Sequence, residues 1–557
     1  MCGIAGIISK NRPLSDQGRL SGILSAIKHR GPDDTGTYIS EKAHLGMVRL
    51  SIIDLKSTGL CPIIEKSSNT GEDLVLVYNG ELYNYIELRE ELKSKGHTFK
   101  TQSDSEVLIK SYKEWGSACL QRFNGMFSFA ILDLEKDLLF AARDRIGEKP
   151  FYFYETENEF IFASEVKGIL TQMSNPEFQF PEEFEAFEYM SGSETLFVGV
   201  QSLEPGHQLV YNGIKSKYRG KRVSEYWNVF DGIREINPER AVDELDALFQ
   251  ESIKLRLRSD VKMGLYLSGG IDSALIAAIA KPPIAFSVDF GHGEKYSELQ
   301  YAKIMAAQIK TEHIIVQPTK EDFQNYLPKI MYHMDMPVGS LSMFPLYMLA
   351  KEASKHVKIV MSGEGSDELF SGYSRYLIMT YEEEIYKLPE LTRYRPLLNY
   401  YLGSRLSRFA HLINRGNVPD ATVEKLISRY FNQFSDLVHA IGYTEFKLLL
   451  PSLLQMEDRT SSAFGLENRS PFLDHRIAEF AFSLSPDLKI RGTTLKWIVR
   501  EVAKRYLPKE LLDRKEKMGL VFPVNEWFQY IGKRGAFDRA NYTKMCVDAW
   551  KNQFFQS

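Results

Sequence analysis

Three stretches of this 557-residue chain carry side chains whose types and spacing suit covalent or phosphate chemistry. The string LYLSGGIDSALIA (residues 265–277) puts Ser268, Gly269, Gly270, Asp272 and Ser273 where an apolar strand gives way to a helix. Two glycines let a phosphate approach the backbone, and a helix N-terminus offers amide donors and a positive dipole end. Ser268 and Ser273 add hydroxyl donors, while Asp272 would repel bare phosphate and so argues for a bridging Mg²⁺. SGG alone reads as a tight turn with a helix cap; the six-residue string behind an apolar strand favours a pyrophosphate site. The chain has no GxxxxGK[ST] and no GxGxxG between a strand and a helix, which argues against γ-phosphate transfer and dinucleotide redox. A second string, VMSGEGSDELFSGY (residues 360–373), also follows an apolar run and holds Ser362, Gly363, Glu364, Ser366, Asp367 and Glu368. Carboxylates among small residues suit metal binding and a general base, although an acidic turn with helix caps has the same composition. Two such loops at strand ends of one sheet strengthen the functional reading. The third stretch is the opening MCGIAGIISK. If Met1 is removed, Cys2 gains a free α-amino group, titrating near ~8, beside its thiol, a ready nucleophile and base.

These residues need elements to hold them. A chain of this length exceeds one hydrophobic core, so two or more domains are expected. Up to about residue 210 it is rich in short β-branched or aromatic runs, GMFSFAILD, LLFAARD, FYFYE and FIFASE, which predict antiparallel sheets. SDSEVLIKSYKEW is a helical exception. The segment LEPGHQLVYNGIKSKYRGKRVSEYW (residues 203–227) reads as a linker with a solvated basic patch. From about residue 240 the pattern alternates: helix over ERAVDELDALFQESIKLRLR, then VKMGLYL, SALIAAIA, IAFSVDF, ELQYAKIMAAQI, EHIIVQ and VKIVMSG as strand, helix, strand, helix, strand, strand. That alternation predicts a parallel sheet covered on both faces, and the stretch after residue 375 reads as mostly helical.

Hydrophobic residues make up 44% and charged residues 25% of the chain, and its formal net charge is −4. This is ordinary globular composition, with no electrostatic reason for a nucleic-acid or acidic-membrane partner. Its four cysteines, Cys2, Cys61, Cys119 and Cys546, show no CxxC spacing, so neither a disulfide framework nor a zinc site is suggested. No signal peptide and no spanning segment is read, which leads to the expectation of a cytoplasmic protein.

Taken together, SGGIDS, SGEGSDE, TTLKWIVRE and ENRSPFLDH, with KHRGPDDTG, VRLSIIDL, YNGELYN, SDSE and RDRIGEKPFYF behind the N-terminal Cys-Gly-Ile, resemble the glutamine-hydrolysing asparagine synthetases over nearly the whole chain. The resemblance implies an α+β N-terminal-nucleophile αββα sandwich over residues 2–215, a class II glutamine amidotransferase domain. It implies, over 216–557, an ATP-pyrophosphatase domain: an α/β doubly wound parallel sheet with a helical C-terminal part. Cys2 would attack the glutamine amide, with Asn79 and Gly80 stabilising the oxyanion. Arg49 and Asp104 would hold the glutamine α-carboxylate and α-ammonium, with Asn79 and Glu81 assisting. Leu267, Ser268, Gly269, Gly270, Asp272, Ser273, Val288, Ser362, Gly363 and Lys496 would bind ATP, Asp272 and Asp367 would sit on the Mg²⁺ side, and Glu364 would help deprotonate ammonia. Arg514, Lys515 and Lys517 are similar to the family's basic C-terminal loop. An internal ammonia tunnel and a homodimer are further implications.

Cys61 stands where the family usually has Gln, Met336 turns its DEP into DMP, and Leu520 replaces the Phe of its GF. None of these removes a catalytic group, but they leave the amidated carboxylate open between aspartate and another acceptor, such as a sugar uronic acid, a peptide or a secondary-metabolite precursor. A non-catalytic regulatory paralogue is the remaining alternative, and retention of Cys2, Arg49, Asn79, Asp104, SGGIDS, Glu364 and Lys496 argues against it.

Overall fold

The computed structural model describes the chain except residues 12, 57–61, 68–69, 216–219, 294–295, 382–402, 417, 515–518, 529–538 and 556–557. Cys61, Lys515 and Lys517 therefore lie outside the described residues.

The front half contains two antiparallel six-stranded sheets. One runs Val200–Ser202, Tyr152–Glu155, Glu159–Ala163, Gly3–Ser9, Ala43–Arg49, Asp34–Ile39; the other runs Gly220–Glu225, His207–Asn212, Leu138–Arg143, Gly125–Asp133, Asp73–Leu82, Ile63–Lys66. Side chains alternate across each strand, so the two faces bury different partners. Ile4, Ile8, Leu45 and Met47 meet Val75, Val77, Ala130 and Leu132 between the sheets. On the outer faces Ala5 and Ile7 pack under the helices Gly18–Ala26 and Val166–Leu170, while Leu76, Tyr78, Phe127 and Phe129 pack under Tyr85–Ser94 and Asp104–Trp115. This is the αββα sandwich. Covering both faces explains why strands such as Gly125–Asp133 are nearly continuous apolar runs.

The supposed linker is corrected here. His207–Asn212 and Gly220–Glu225 pair with each other, from His207↔Glu225 to Asn212↔Gly220, and extend the second sheet. Its last strand thus lies beyond residue 215.

In the second half Asn237 caps the helix Pro238–Arg256 by accepting from Glu239 N–H, with Pro238 in the first turn. Five parallel strands follow in the order Glu312–Val316, Ile284–Val288, Met263–Tyr266, Ile359–Met361, Glu467–Arg469. The order reverses beside Met263–Tyr266, so the crevice between it and Ile359–Met361 is the switch point where open α/β sheets take ligands. The helical stretch after residue 375 is observed, but it is interrupted by the fifth strand, Glu467–Arg469, which the sequence pattern did not predict.

The halves dock through polar contacts as well as apolar ones. Asn124 Nδ2 donates to Asp474 at 3.1 Å, Asp54 N–H to Asp260 at 2.8 Å, and Trp227 Nε1 to Glu479 at 2.6 Å.

Candidate active site

Cys2, Arg49, Tyr78, Gly80, Glu81 and Asp104 line one cleft in the front half. Cys2 precedes the strand Gly3–Ser9, Arg49 ends Ala43–Arg49, Gly80 and Glu81 lie in Asp73–Leu82, and Asp104 opens a helix capped by Ser103. The Cys2 thiol is half-buried, 3.9 Å from the Leu50 carbonyl, and burial pushes its pKa up. Met1 precedes it and is buried; burial lowers its amine to about 5. Arg49 donates to the Ile53 and Asp54 carbonyls at 3.2 and 2.5 Å, and to that of Lys56 at 3.3 Å, which fixes its guanidinium at the cleft wall. Asp104 accepts from Tyr78 Oη and Leu82 N–H, both at 2.9 Å, yet burial still raises its pKa.

The Asn79 side chain is fully buried, and neither end of its amide has a hydrogen-bond partner among the described residues. Such an orphan is costly unless a bound group completes it. Gly80 has φ +148°, and a Cβ there would stand 2.1 Å from the Met126 carbonyl oxygen, so only glycine fits. Glu81 is buried beside Glu467 and 3.4 Å from Arg469, both from the fifth parallel strand. Burial and the Glu467 charge raise its pKa well above the carboxylate range.

The second cluster surrounds the switch point. Leu267 is buried, and residues 268–270 form the turn into the helix Ile271–Ala280. Ser268 and Ser273 hydroxyls lie 3.1 Å apart, Ser268 N–H donates to Ser273 Oγ at 3.2 Å, and Gly269 has φ +82°. Val288 closes its strand, half-buried on the same sheet edge. Ser362 and Gly363 lead from Ile359–Met361 into the acidic loop, and a Cβ on Gly363 would lie 3.0 Å from that of Asp272. The two loops touch because Gly363 has no side chain.

Lys496 joins them. Its ammonium stands 2.8 Å from Asp272 Oδ2 and 2.8 Å from Asp367 Oδ1, with Ser366 Oγ at 3.2 Å. Lys496 has φ +52°, an unfavourable conformation for a lysine, held just before the helix Trp497–Ala503. Two carboxylates converging on one cation are a hard-oxygen donor set, which fits Mg²⁺. Glu368, next to Asp367, is pushed to about 8 by burial and by that neighbour. Arg514 Nη1 reaches the Gly269 carbonyl at 2.9 Å and its other amine pairs with Glu298. Met336 is buried in an apolar core, and Leu520 packs against the same core.

Several site-bridging residues escaped the sequence reading. Arg30 holds the Cys2 carbonyl at 2.9 Å and Lys149 Nζ lies 2.9 Å from Met1 Sδ. Glu457, Asn468 and Arg469 lie between the two sites. Arg30 sits inside KHRGPDDTG and Arg469 inside ENRSPFLDH, which marked the strings but not these contacts.

The geometry gives one chain two separate clusters, a cleft at Cys2 in the front half and a second at the α/β switch point. Residues 1–227 match the glutamine amidotransferase domain and residues 244–541 match asparagine synthase. The chain is 32% identical to asparagine synthetase [glutamine-hydrolyzing] 1 of Bacillus subtilis, covering 95% of this chain and 88% of that one. It is 35% identical to putative asparagine synthetase [glutamine-hydrolyzing] 2 of Methanocaldococcus jannaschii, covering 71% and 79%. Among solved structures, glutamine phosphoribosylpyrophosphate amidotransferase from B. subtilis is matched at 15% identity and TM-score 0.31, over 58% of this chain and 70% of that one. The chain belongs to the asparagine synthase family.

Proposed function

We propose that this enzyme converts aspartate to asparagine, with glutamine as nitrogen donor and ATP as activating substrate. The observation that carries this reading is one chain holding both a Cys2–Arg49–Asp104 cleft and a Lys496–Asp272–Asp367 cluster at a parallel-sheet switch point. We divide the chain into a glutaminase domain and a synthetase domain after the strand Gly220–Glu225 rather than at residue 215, because that strand completes the second sheet.

Arg49 holds the glutamine α-carboxylate and Asp104 its ammonium, a charge that would lower the raised pKa of Asp104. With Met1 removed, the α-amine of Cys2 takes the thiol proton, and sulfur attacks the side-chain amide carbon. The Asn79 amide and Gly80 N–H receive the oxyanion. Ammonia leaves, and water hydrolyses the thioester to glutamate. In the second domain the Ser268–Ser273 loop, Ser362 and Gly363 bind the nucleotide, with Leu267 and Val288 at its base. The aspartate carboxylate attacks the α-phosphorus and pyrophosphate departs toward Lys496. Asp272 and Asp367 would hold Mg²⁺, which neutralises phosphate charge. Ammonia then adds to the acyl-adenylate carbon, Glu364 takes a proton, and AMP leaves. Ammonia is mostly protonated in neutral water, so an enclosed route between the domains serves the second step.

The free thiols of Cys2, Cys119 and Cys546 fit a reducing cytoplasm. Among the described residues no helix is long and apolar enough to cross a membrane. A homodimer rests on family resemblance. The test of the function is product identification: protein with ATP, Mg²⁺, glutamine and aspartate should yield asparagine, glutamate, AMP and pyrophosphate, each of asparagine and AMP dependent on aspartate. Glutamate without aspartate-dependent AMP would overturn aspartate as the acceptor.

A further inference from the structure

We propose that Glu457 is a positioning residue for Glu364: the two carboxyls share one proton, Glu457 as its holder and Glu364 as the open acceptor. This rests on the reading of Glu364 as the group that takes the ammonia proton. Glu457 lies on the helix Leu450–Ser462, buried, and is hydrogen-bonded to Glu364. Two carboxyls cannot hydrogen-bond unless a proton lies between them. Burial decides which one carries it, because the carboxyl shut off from water keeps its proton more readily. Ser362 Oγ donates to Glu457 Oε2 at 3.0 Å, and Asn468 Nδ2 donates to the same oxygen. These two donors favour ionised Glu457 and so oppose the shift that burial imposes. Glu364 is half-buried in the nucleotide loop, with access that Glu457 lacks.

Burial, and then the Glu364 charge, raise Glu457 well above the carboxylate range. The titratable groups facing it are Glu364 on the acidic loop, Lys149 from the front half and Tyr266 on the central strand. Lys149 opposes the shift from the side of the cysteine cleft. Asp458, the next residue along, ion-pairs with Arg30 in the front half. The helix therefore places consecutive carboxyls toward the two sites.

The chemical consequence is a base kept ionised inside a desolvated loop. A hydrogen bond donated by neutral Glu457 stabilises the Glu364 carboxylate. As ammonia forms the C–N bond and the C–O bond to AMP breaks, one N–H proton passes to Glu364. The pair goes from one proton to two, and the products are amide and AMP. The second proton returns to solvent before the next turnover.

Glutamine in Glu457→Gln can still donate to Glu364 but cannot ionise. The expected result is that E457Q keeps ammonia-dependent kcat within a small factor, while E457A loses about a hundredfold, the low end of what a positioned acid–base group contributes. KM for ATP and the glutaminase rate should stay unchanged in both. Wild type should lose kcat at high pH as Glu457 ionises, and E457Q should lack that limb. The wild type minus E457Q infrared spectrum at pH 7 should show a carboxylic-acid C=O band. Equal loss in E457Q and E457A with native circular dichroism, or absence of that band, overturns the proposal. If wild type forms no amide from aspartate while the band is present, the proposed acceptor fails and the shared proton stands.

Discussion

Arg30 holds Asp458 by a two-point ion pair at 2.8 and 3.0 Å, and both side chains are buried where the two halves of the chain meet. The same guanidinium fixes the Cys2 carbonyl, so the nucleophile of one half is tied to a helix of the other. Arg30→Ala leaves Asp458 without that partner, and breaking such a pair costs about 3–5 kcal/mol. Burial opposes ionisation of Asp458, but Arg30 outweighs it and holds its pKa below the usual range. The pair's stability is thus present above the unfolded carboxyl pKa of about 3.9 and lost as pH falls below it. Urea midpoints of wild type and R30A should differ most near neutrality and converge in acid.

Cys2→Ala should abolish glutamine hydrolysis and leave ammonia-dependent synthesis intact. Asn79→Ala should lower glutaminase kcat by about 10²–10³-fold, as for loss of an oxyanion donor, again sparing the ammonia-dependent rate. Parallel assays with glutamine and with ammonium chloride check both. Loss of the ammonia-dependent reaction in a folded C2A protein would contradict the division of labour.

Gly372→Ala separates fold from site. A Cβ at Gly372 would come within 1.9 Å of Asp367 Oδ1 and 2.1 Å of Lys496 Cε. Both atoms lie toward the ends of side chains that can move, so the fold should survive with its melting temperature nearly unchanged. The Lys496–Asp367 geometry should not, and AMP production should fall at least about tenfold while glutaminase activity persists.

Lys489 is buried over the Phe482 ring, and burial lowers its ammonium to about 7. Between pH 7 and its unfolded pKa of about 10.4 the unfolded chain binds the extra proton, so this group makes stability rise with pH. Lys489→Met should therefore stabilise the protein. The gain over wild type should be largest at pH 7 and below and shrink toward pH 10, as read by chemical denaturation across that range.

The chemistry-bearing strings were legible in the sequence because their requirements are local. A thiol behind Met1, two glycines and two serines between a strand and a helix, and a dense acidic turn each declare themselves within a few residues. Strands with both faces covered were legible for the same reason, since burial imposes apolar runs. Gly220–Glu225 was misread because it is an edge strand whose outward Lys221 and Arg222 look like a solvated connector. Glu467–Arg469 was missed because three polar residues carry no strand pattern. Their burial is offset by the pairing of Arg469 with Glu467, Glu81 and the Arg256 and Arg258 carbonyls, and of Asn468 with Glu457. The sequence by itself determined which reactive groups this protein owns. The tertiary structure alone decided which meet: Lys496 with Asp272 across 224 positions and Arg30 with Asp458 across 428. Such contacts are set by how helices and sheets pack, and no short window of sequence contains both partners.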